Sequence, residues 1–275
     1  MTGRIFIQPY HRGDPHNTLY PGRVTPAAFD KICDHLIRDY FARTNYWRIG
    51  GKPYFSFYDL GNLIASFGSM AATRTALGDF RSRAAAGLPG LHLNAVVWGR
   101  TILPAEKNEV DPAKLVHDLG FDSVTSYVWI HHVVVPEQQT EYNLIRDGYF
   151  NYWSKARTNF GVPYIPNVTM GWDPSPRADQ SQSFDNSGYP FMNTIKDNAP
   201  ENFRTALEMA RQRLIVETNG LRILNLNCWN EWTEGSYLEP DTVHGFQYLD
   251  AVKEVFDRAP SRRRRGHFVS KASQP

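Results

Sequence analysis

Cysteine is almost absent: only Cys33 and Cys228 occur in 275 residues. Neither a disulfide framework nor a Cys-based zinc site can be assembled from two thiols. A reducing, cytoplasmic compartment is the expectation that follows. Long apolar runs are missing too. No stretch approaches the roughly 18 apolar residues of a membrane-spanning helix, so no membrane insertion is expected. Met1–Pro9 has too short an apolar stretch to read as a signal peptide. No glycine-rich phosphate loop follows any strand-like run, which weakens nucleotide-binding versions of an open α/β sheet. There is no His-Glu-x-x-His pattern, and the adjacent His131 and His132 would point to opposite faces of a strand. No metal and no cofactor is expected. Ser56, Ser69 and Ser126 lack a nucleophile elbow.

Charge of one sign is scarce in the sum but not in the distribution. The net charge is +2. Residues 258–275 hold Arg258, Arg262, Arg263, Arg264, Arg265 and Lys271 and no acid, so residues 1–257 are mildly acidic. The arginine run reads as a solvated, disordered tail rather than a nucleic-acid contact. Apolar residues at 41% and charged residues at 21% fit a folded domain.

Strand-like and helical runs alternate. Residues 53–58, 91–98, 121–130, 162–170 and 221–229 read as strands, with a sixth candidate at 4–7. Residues 26–42, 72–86, 112–119, 140–159, 200–218 and 245–257 read as helices, two of them opened by Thr25-Pro26 and Asp111-Pro112 caps. Residues 171–190 form a long loop of the kind that is usually functional. The alternation predicts a parallel sheet with helices outside: a (β/α) barrel first, a doubly wound sheet second. A closed barrel of this type needs about eight strands, more than are found.

Barrel active sites lie at the C-terminal strand ends. Here those ends carry Tyr58-Asp59, Asn94 and Trp98, Tyr127 through His131-His132, Asn167 through Trp172-Asp173, and Trp229-Asn230-Glu231-Trp232-Thr233-Glu234-Gly235. Aromatic faces suit sugar C–H surfaces, and amides and carboxylates suit hydroxyl rims. A carbohydrate site is therefore expected, with Asn94, Trp98, Tyr127, His131, Asn167, Trp172, Asn230 and Trp232 as substrate-binding candidates. Glu231 and Glu234 can divide acid and base roles, because proximity and burial separate two carboxyl groups. The bland alternative places both acids on the first turn of a following helix. Glu239-Pro240-Asp241 reads as a loop brace or helix cap, and Cys228 as a packed thiol.

Trp229–Asp241 resembles the signature of the glycoside hydrolase family 99-like domain, a grouping that includes the WbsX-like glycosyltransferases of bacterial surface-polysaccharide (O-antigen) synthesis. Asp39-Tyr40-Phe41, Tyr46-Trp47-Arg48-Ile49, Gly51-Lys52-Pro53, Gly87–Trp98, Ser126–His132, Pro166–Asp173 and Tyr189-Pro190-Phe191 extend the resemblance over residues 18–257. It implies an α/β fold of (β/α)8 TIM-barrel type. In the endo-α-mannosidase branch the position matching Glu231 deprotonates the sugar 2-hydroxyl, giving an epoxide-like intermediate. The position matching Glu234 is the general acid, later base. Configuration is retained and no cofactor is needed.

Family members carry about three more strands before the segment matching Leu19–Gly22, out of about eight in a barrel. Residues 1–257 are thus expected to form a partial barrel of about five or six βα units, followed by the 258–275 tail. Three readings result. The first is a retaining glycoside hydrolase. The second is a WbsX-like glycosyltransferase, with Lys52, Arg100 and Arg177 as candidates for a donor phosphate. The third is an inactive fragment or carbohydrate-binding remnant. The expected partner is an oligosaccharide or polysaccharide, not nucleic acid, and nothing in the sequence specifies an oligomeric state.

Overall fold

The computed structural model describes residues 24–103, 106, 111–217 and 221–257. The candidate strand at 4–7, the Met1–Pro9 segment and the basic tail after Asp257 lie outside them.

In chain order, α1 (Pro26–His35) runs on into a π-helical turn (Leu36–Phe41). The hairpin of β1 (Arg48–Ile49) and β2 (Lys52–Phe57) follows, then α2 (Leu60–Phe67), α3 (Met70–Ala85) and β3 (His92–Val96). Next come α4 (Pro112–Leu119), β4 (Ser123–Thr125), β5 (Gln139–Glu141), α5 (Tyr142–Asn159), β6 (Tyr164–Ile165), β7 (Asn167–Thr169) and β8 (Thr194–Lys196). The described chain closes with α6 (Pro200–Val216), β9 (Asn225–Asn227), β10 (Asn230–Glu231), β11 (Ser236–Tyr237) and α7 (Gln247–Phe256).

The parallel ladder runs β2-β3-β4-β6, and β7, separated from β6 by Pro166 alone, continues it to β9. The Pro166 carbonyl accepts from Asn225 N at 2.9 Å, so the ladder crosses the proline without a gap. Strand order equals chain order throughout. A doubly wound sheet reverses order at its switch point, and this arc does not. The fold is α/β of the (β/α) barrel type, with five βα units among the described residues. No ladder there joins β9 back to β2.

Register sorts the faces. Tyr54 pairs with His92, and Ser56 with Asn94, which pairs in turn with Ser123. The alternate residues Phe55, Phe57, Leu93, Ala95 and Val124 pack outward with Phe29, Phe41, Leu77 and Phe80 beneath the helices.

Local chemistry explains the boundaries. Thr25 Oγ1 accepts from Ala28 N, and Asp111 Oδ1 from Lys114 N, as N-caps do. Helix α2 was not expected from sequence. Asp59 Oδ1 caps it at Asn62 N (2.7 Å), left-handed Gly68 ends it, and Ser69 caps α3. The strand expected over 121–130 stops at Thr125. Trp129–His131 instead forms a 3-10 turn, because Trp129 N donates to Thr169 Oγ1 and its indole to the Asn167 carbonyl. The loop expected over 171–190 holds a 3-10 turn at Ser175–Arg177 and leads into β8, which pairs in parallel with β5.

Candidate active site

The Trp229–Gly235 motif follows β9 as a compact hairpin. Glu231 on β10 pairs with Ser236 on β11, and Trp232–Glu234 makes a 3-10 turn between them. No α-helix follows directly; Glu231 stands at the N-cap of the single 3-10 turn and Glu234 ends it. Gly235 closes the turn at φ 62°, where a Cβ would also stand 2.9 Å from Asp173 Cβ. Only glycine meets both demands. Ser236 Oγ donates to Asn227 Oδ1 at 2.6 Å, tying the hairpin to the strand end. Glu239 accepts from the Trp232 indole, and Asp241 accepts from Val243 N, so both act as braces.

Glu234 is 3% exposed. Tyr189 Oη donates to its Oε1 at 2.9 Å and Tyr127 Oη to its Oε2 at 3.1 Å. Asp173 N donates to its backbone carbonyl at 2.7 Å. Burial pushes the Glu234 carboxyl above its usual value, and nearby Glu231 pushes the same way. The Arg177 cation and the two phenols oppose this without cancelling it. A carboxyl that holds its proton longer than usual is what a general acid requires.

Glu231 is more open, with 34% of its side chain exposed. Its Oε1 lies 2.6 Å from Arg177 Nη2 and accepts from Thr233 Oγ1 at 3.0 Å. Arg177 Nε donates to Thr233 Oγ1 at 2.7 Å, and Nη1 stands 3.6 Å from Glu234 Oε1. One guanidinium therefore spans both carboxylates, with the Tyr189 ring 5.8 Å away.

A second polar network backs the first. Tyr58 Oη donates to Glu106 Oε1 at 2.8 Å, and fully buried His131 places Nε2 3.1 Å from the same carboxylate. Burial alone would push Glu106 up, but His131 and the N–H groups of Ile102 and Leu103 hold it below the usual carboxylate range. Tyr58 and Tyr127 meet edge-on at 5.5 Å, so the two networks share a wall. His132 departs from His131, stacking on Tyr152 at 3.8 Å, and burial lowers its pKa well below the ordinary value. Among the described residues no group of three or more His, Cys, Asp or Glu side chains is placed to hold a metal ion.

Residues 10–252 match the family described as glycosyltransferase WbsX. The chain belongs to that family. A curated relative, the uncharacterized protein WxcX of Xanthomonas campestris pv. campestris (strain B100), is 34% identical over 96 residues, 34% of this chain and 12% of that protein. WxcX of strain ATCC 33913 matches to the same extent. The aligned stretch thus spans about an eighth of those relatives' length. Two solved structures of a GH99 endo-alpha-mannosidase from Bacteroides thetaiotaomicron are also similar. One is 15% identical with TM-score 0.41, covering 81% of this chain and 54% of that one. The other, in complex with bis-tris-propane, is 12% identical with TM-score 0.46, covering 85% and 64%.

Within this WbsX-family chain the residues singled out from sequence separate into two groups. Glu231, Glu234, Tyr127, His131, Trp98 and Trp172 gather at the strand ends. Trp98 packs on Tyr58 and His131, and Trp172 on Tyr189. Buried Asn167 donates to the Tyr127 carbonyl, and its Oδ1 has no partner among the described residues. Asn94 is not brought to the carboxylates. It is fully buried, with its amide 2.8 Å from both the Ser56 and Ser123 hydroxyls. Asn230 is exposed on the hairpin, and Trp232 stacks outward on Tyr237 at 3.8 Å. Glu106 carries no signal in the sequence, while Tyr58 and Tyr189 stand out there only as a strand-end residue and a family-like segment, without a role. The sequence offered Arg177 as a phosphate ligand, whereas its guanidinium is engaged by the two glutamates. Lys52 opens β2, at the opposite strand end from the carboxylates. Among the described residues no helix is long and apolar enough to cross a membrane.

Proposed function

We propose that this chain carries a glycoside-processing site in which Glu234 is the general acid and Glu231 the base. The observation that carries the reading is the asymmetry of the pair. Glu234 is buried under two tyrosine hydroxyls with its pKa pushed up, while Glu231 is half-open and ion-paired to Arg177. Glu234 donates its proton to the departing glycosidic oxygen. Glu231 takes the proton of the sugar hydroxyl next to the anomeric carbon, whose oxygen then closes on that carbon as the bond to the leaving group breaks. Glu234, now a carboxylate, deprotonates the incoming nucleophile, and the ring opens with return of the proton from Glu231. Two inversions retain configuration.

The nucleophile separates two outcomes of the same chemistry. Water gives hydrolysis. A sugar hydroxyl gives transfer, the reading that the family description favours. Transfer from a phosphorylated donor draws little support from a guanidinium already engaged by two carboxylates. The test is turnover of a panel of aryl and oligosaccharide glycosides, with and without a sugar acceptor. Glu231→Gln and Glu234→Gln serve as controls, and product configuration is read by proton NMR. Release of a retained sugar that needs both glutamates supports the proposal. Turnover unaffected by either substitution overturns it.

A further inference from the structure

The loop that carries Arg177 has a second face. Behind it lies an open cleft of about 220 Å³. The paired strands β5 and β8 contribute Gln139 and Thr194, which stand opposite each other in register. Gln138, Gln182, Phe184 and Phe191 supply much of the remaining wall. Such a volume falls below the roughly 300–1,000 Å³ of sites for drug-sized ligands, which limits the occupant to about one hexose-sized ring.

The chemistry of the wall narrows it further. No lysine, arginine or histidine is among the described lining residues, and the charged side chains there are Asp173 and Asp179. Asp173 accepts from Ser175 N, and Asp179 from Ser181 N and Oγ, so both are braced within the loop. Acidic walls without a cation disfavour a uronate or a phosphate. Amides that both donate and accept match the hydroxyl rim of a neutral sugar. Gln182 Oε1 is buried and has no hydrogen-bond partner among the described residues. An unmatched buried acceptor of this kind gains from a ligand hydroxyl. Phe184 is 42% exposed, a large apolar ring offered to solvent at the cleft. That is the stacking surface a pyranose C–H face requires.

The cleft and the glutamate pair share a wall. Asp173 lines the cleft while its N–H holds the Glu234 carbonyl. Pro190 lines the cleft while its neighbour Tyr189 donates to the Glu234 carboxyl. We propose that this cleft is a separate carbohydrate subsite that holds one neutral pyranose unit of the glycan, recognised by the glutamine amides and stacked on Phe184. This inference rests on the glycoside-processing reading of the neighbouring site.

The test uses the whole chain with Glu234→Gln, so that binding is read without turnover. Saturation-transfer NMR and titration calorimetry are run with methyl α-glucopyranoside, methyl α-mannopyranoside, methyl α-rhamnopyranoside and glucuronate. Saturable binding of at least one neutral glycoside is expected. Phe184→Ala and Gln182→Ala, each added separately, weaken it about tenfold with unchanged thermal midpoints, as loss of a central contact does. Glucuronate gives no saturable signal. Equal affinity in both cleft variants, glucuronate binding as tight as that of the neutral sugars, or no saturable binding of any neutral glycoside overturns the inference. The two proposals fail separately. A wrong acid–base assignment leaves cleft binding intact, and a wrong subsite leaves the glutamate dependence of turnover intact.

Discussion

Replacing Arg177 with Met removes the guanidinium that stands between two carboxylates. The guanidinium lies 2.6 Å from Glu231 and 3.6 Å from Glu234, and 20% of its side chain is exposed. Breaking a buried ion pair costs about 3–5 kcal/mol, and an exposed pair about 0–1 kcal/mol. With Glu234 nearly enclosed and Glu231 partly open, the site falls between these limits. A loss of about 2 kcal/mol is expected at pH 7.5, which for a chain of this size lowers the thermal midpoint by about 4–8 °C. The loss must depend on pH. Burial already holds the Glu234 carboxyl above its usual value, and losing Arg177 raises it further. A carboxyl raised on folding contributes stability at low pH and loses it as pH climbs through the folded value. The penalty therefore opens above the unfolded glutamate value of about 4.3 and grows with pH. Thermal unfolding of both proteins at pH 4.5 and 7.5 measures it. Equal drops at the two pH values, or no drop at pH 7.5, would show that Arg177 does not neutralise this pair.

Three further outcomes follow from the same geometry. Glu234→Gln and Glu231→Gln each lower kcat on an oligosaccharide glycoside by about 10²–10⁴, the usual worth of a positioned acid or base. Tyr127→Phe and Tyr189→Phe each remove a hydrogen bond that pulls the Glu234 carboxyl down. The alkaline limb of the pH–rate profile therefore moves to higher pH, and a move to lower pH contradicts the assigned role. Asn94→Leu leaves the buried Ser123 hydroxyl and the half-buried Ser56 hydroxyl facing an apolar side chain. It costs about 1–3 kcal/mol in urea unfolding, and an unchanged midpoint would place the row in contact with water.

Local signals carried much of the architecture. The Thr25 and Asp111 caps, the αL glycines Gly120 and Gly161, and the β-rich runs at 52–57 and 92–96 are all readable at short range. Errors fell where distant residues decide. The strand expected to reach Ile130 ends early because its hydrogen bonds go to Asn167 and Thr169, about forty residues on. Helix α2 escaped notice because its residues are apolar on most sides, and its limits are set by Asp59 and Gly68 rather than by periodicity. For Asn94, a candidate ligand by its place on a strand, register brings both ends of the amide to hydroxyls of adjacent strands, which the local sequence does not show.

The glutamate pair itself was legible as a motif, yet the motif is nearly symmetric: each acid is flanked by small or aromatic neighbours in one short hairpin. What separates the two carboxyl groups arrives from outside. Tyr127 comes from 107 residues earlier in the chain, Tyr189 from 45, and Arg177 from 54 residues before Glu231. Their convergence follows from the barrel winding, which brings the C-terminal ends of β4, β7 and β9 to one side. A sequence can therefore name both carboxylates without ranking them. Burial separates the two, since the glutamate on the inner side of the turn loses water and rises in pKa while the one on β10 stays partly open to solvent. Moving Glu234 outward by one register step would erase the difference without altering the composition of the motif. The tight Gly235 turn against Asp173 therefore helps set the environment of the Glu234 carboxyl.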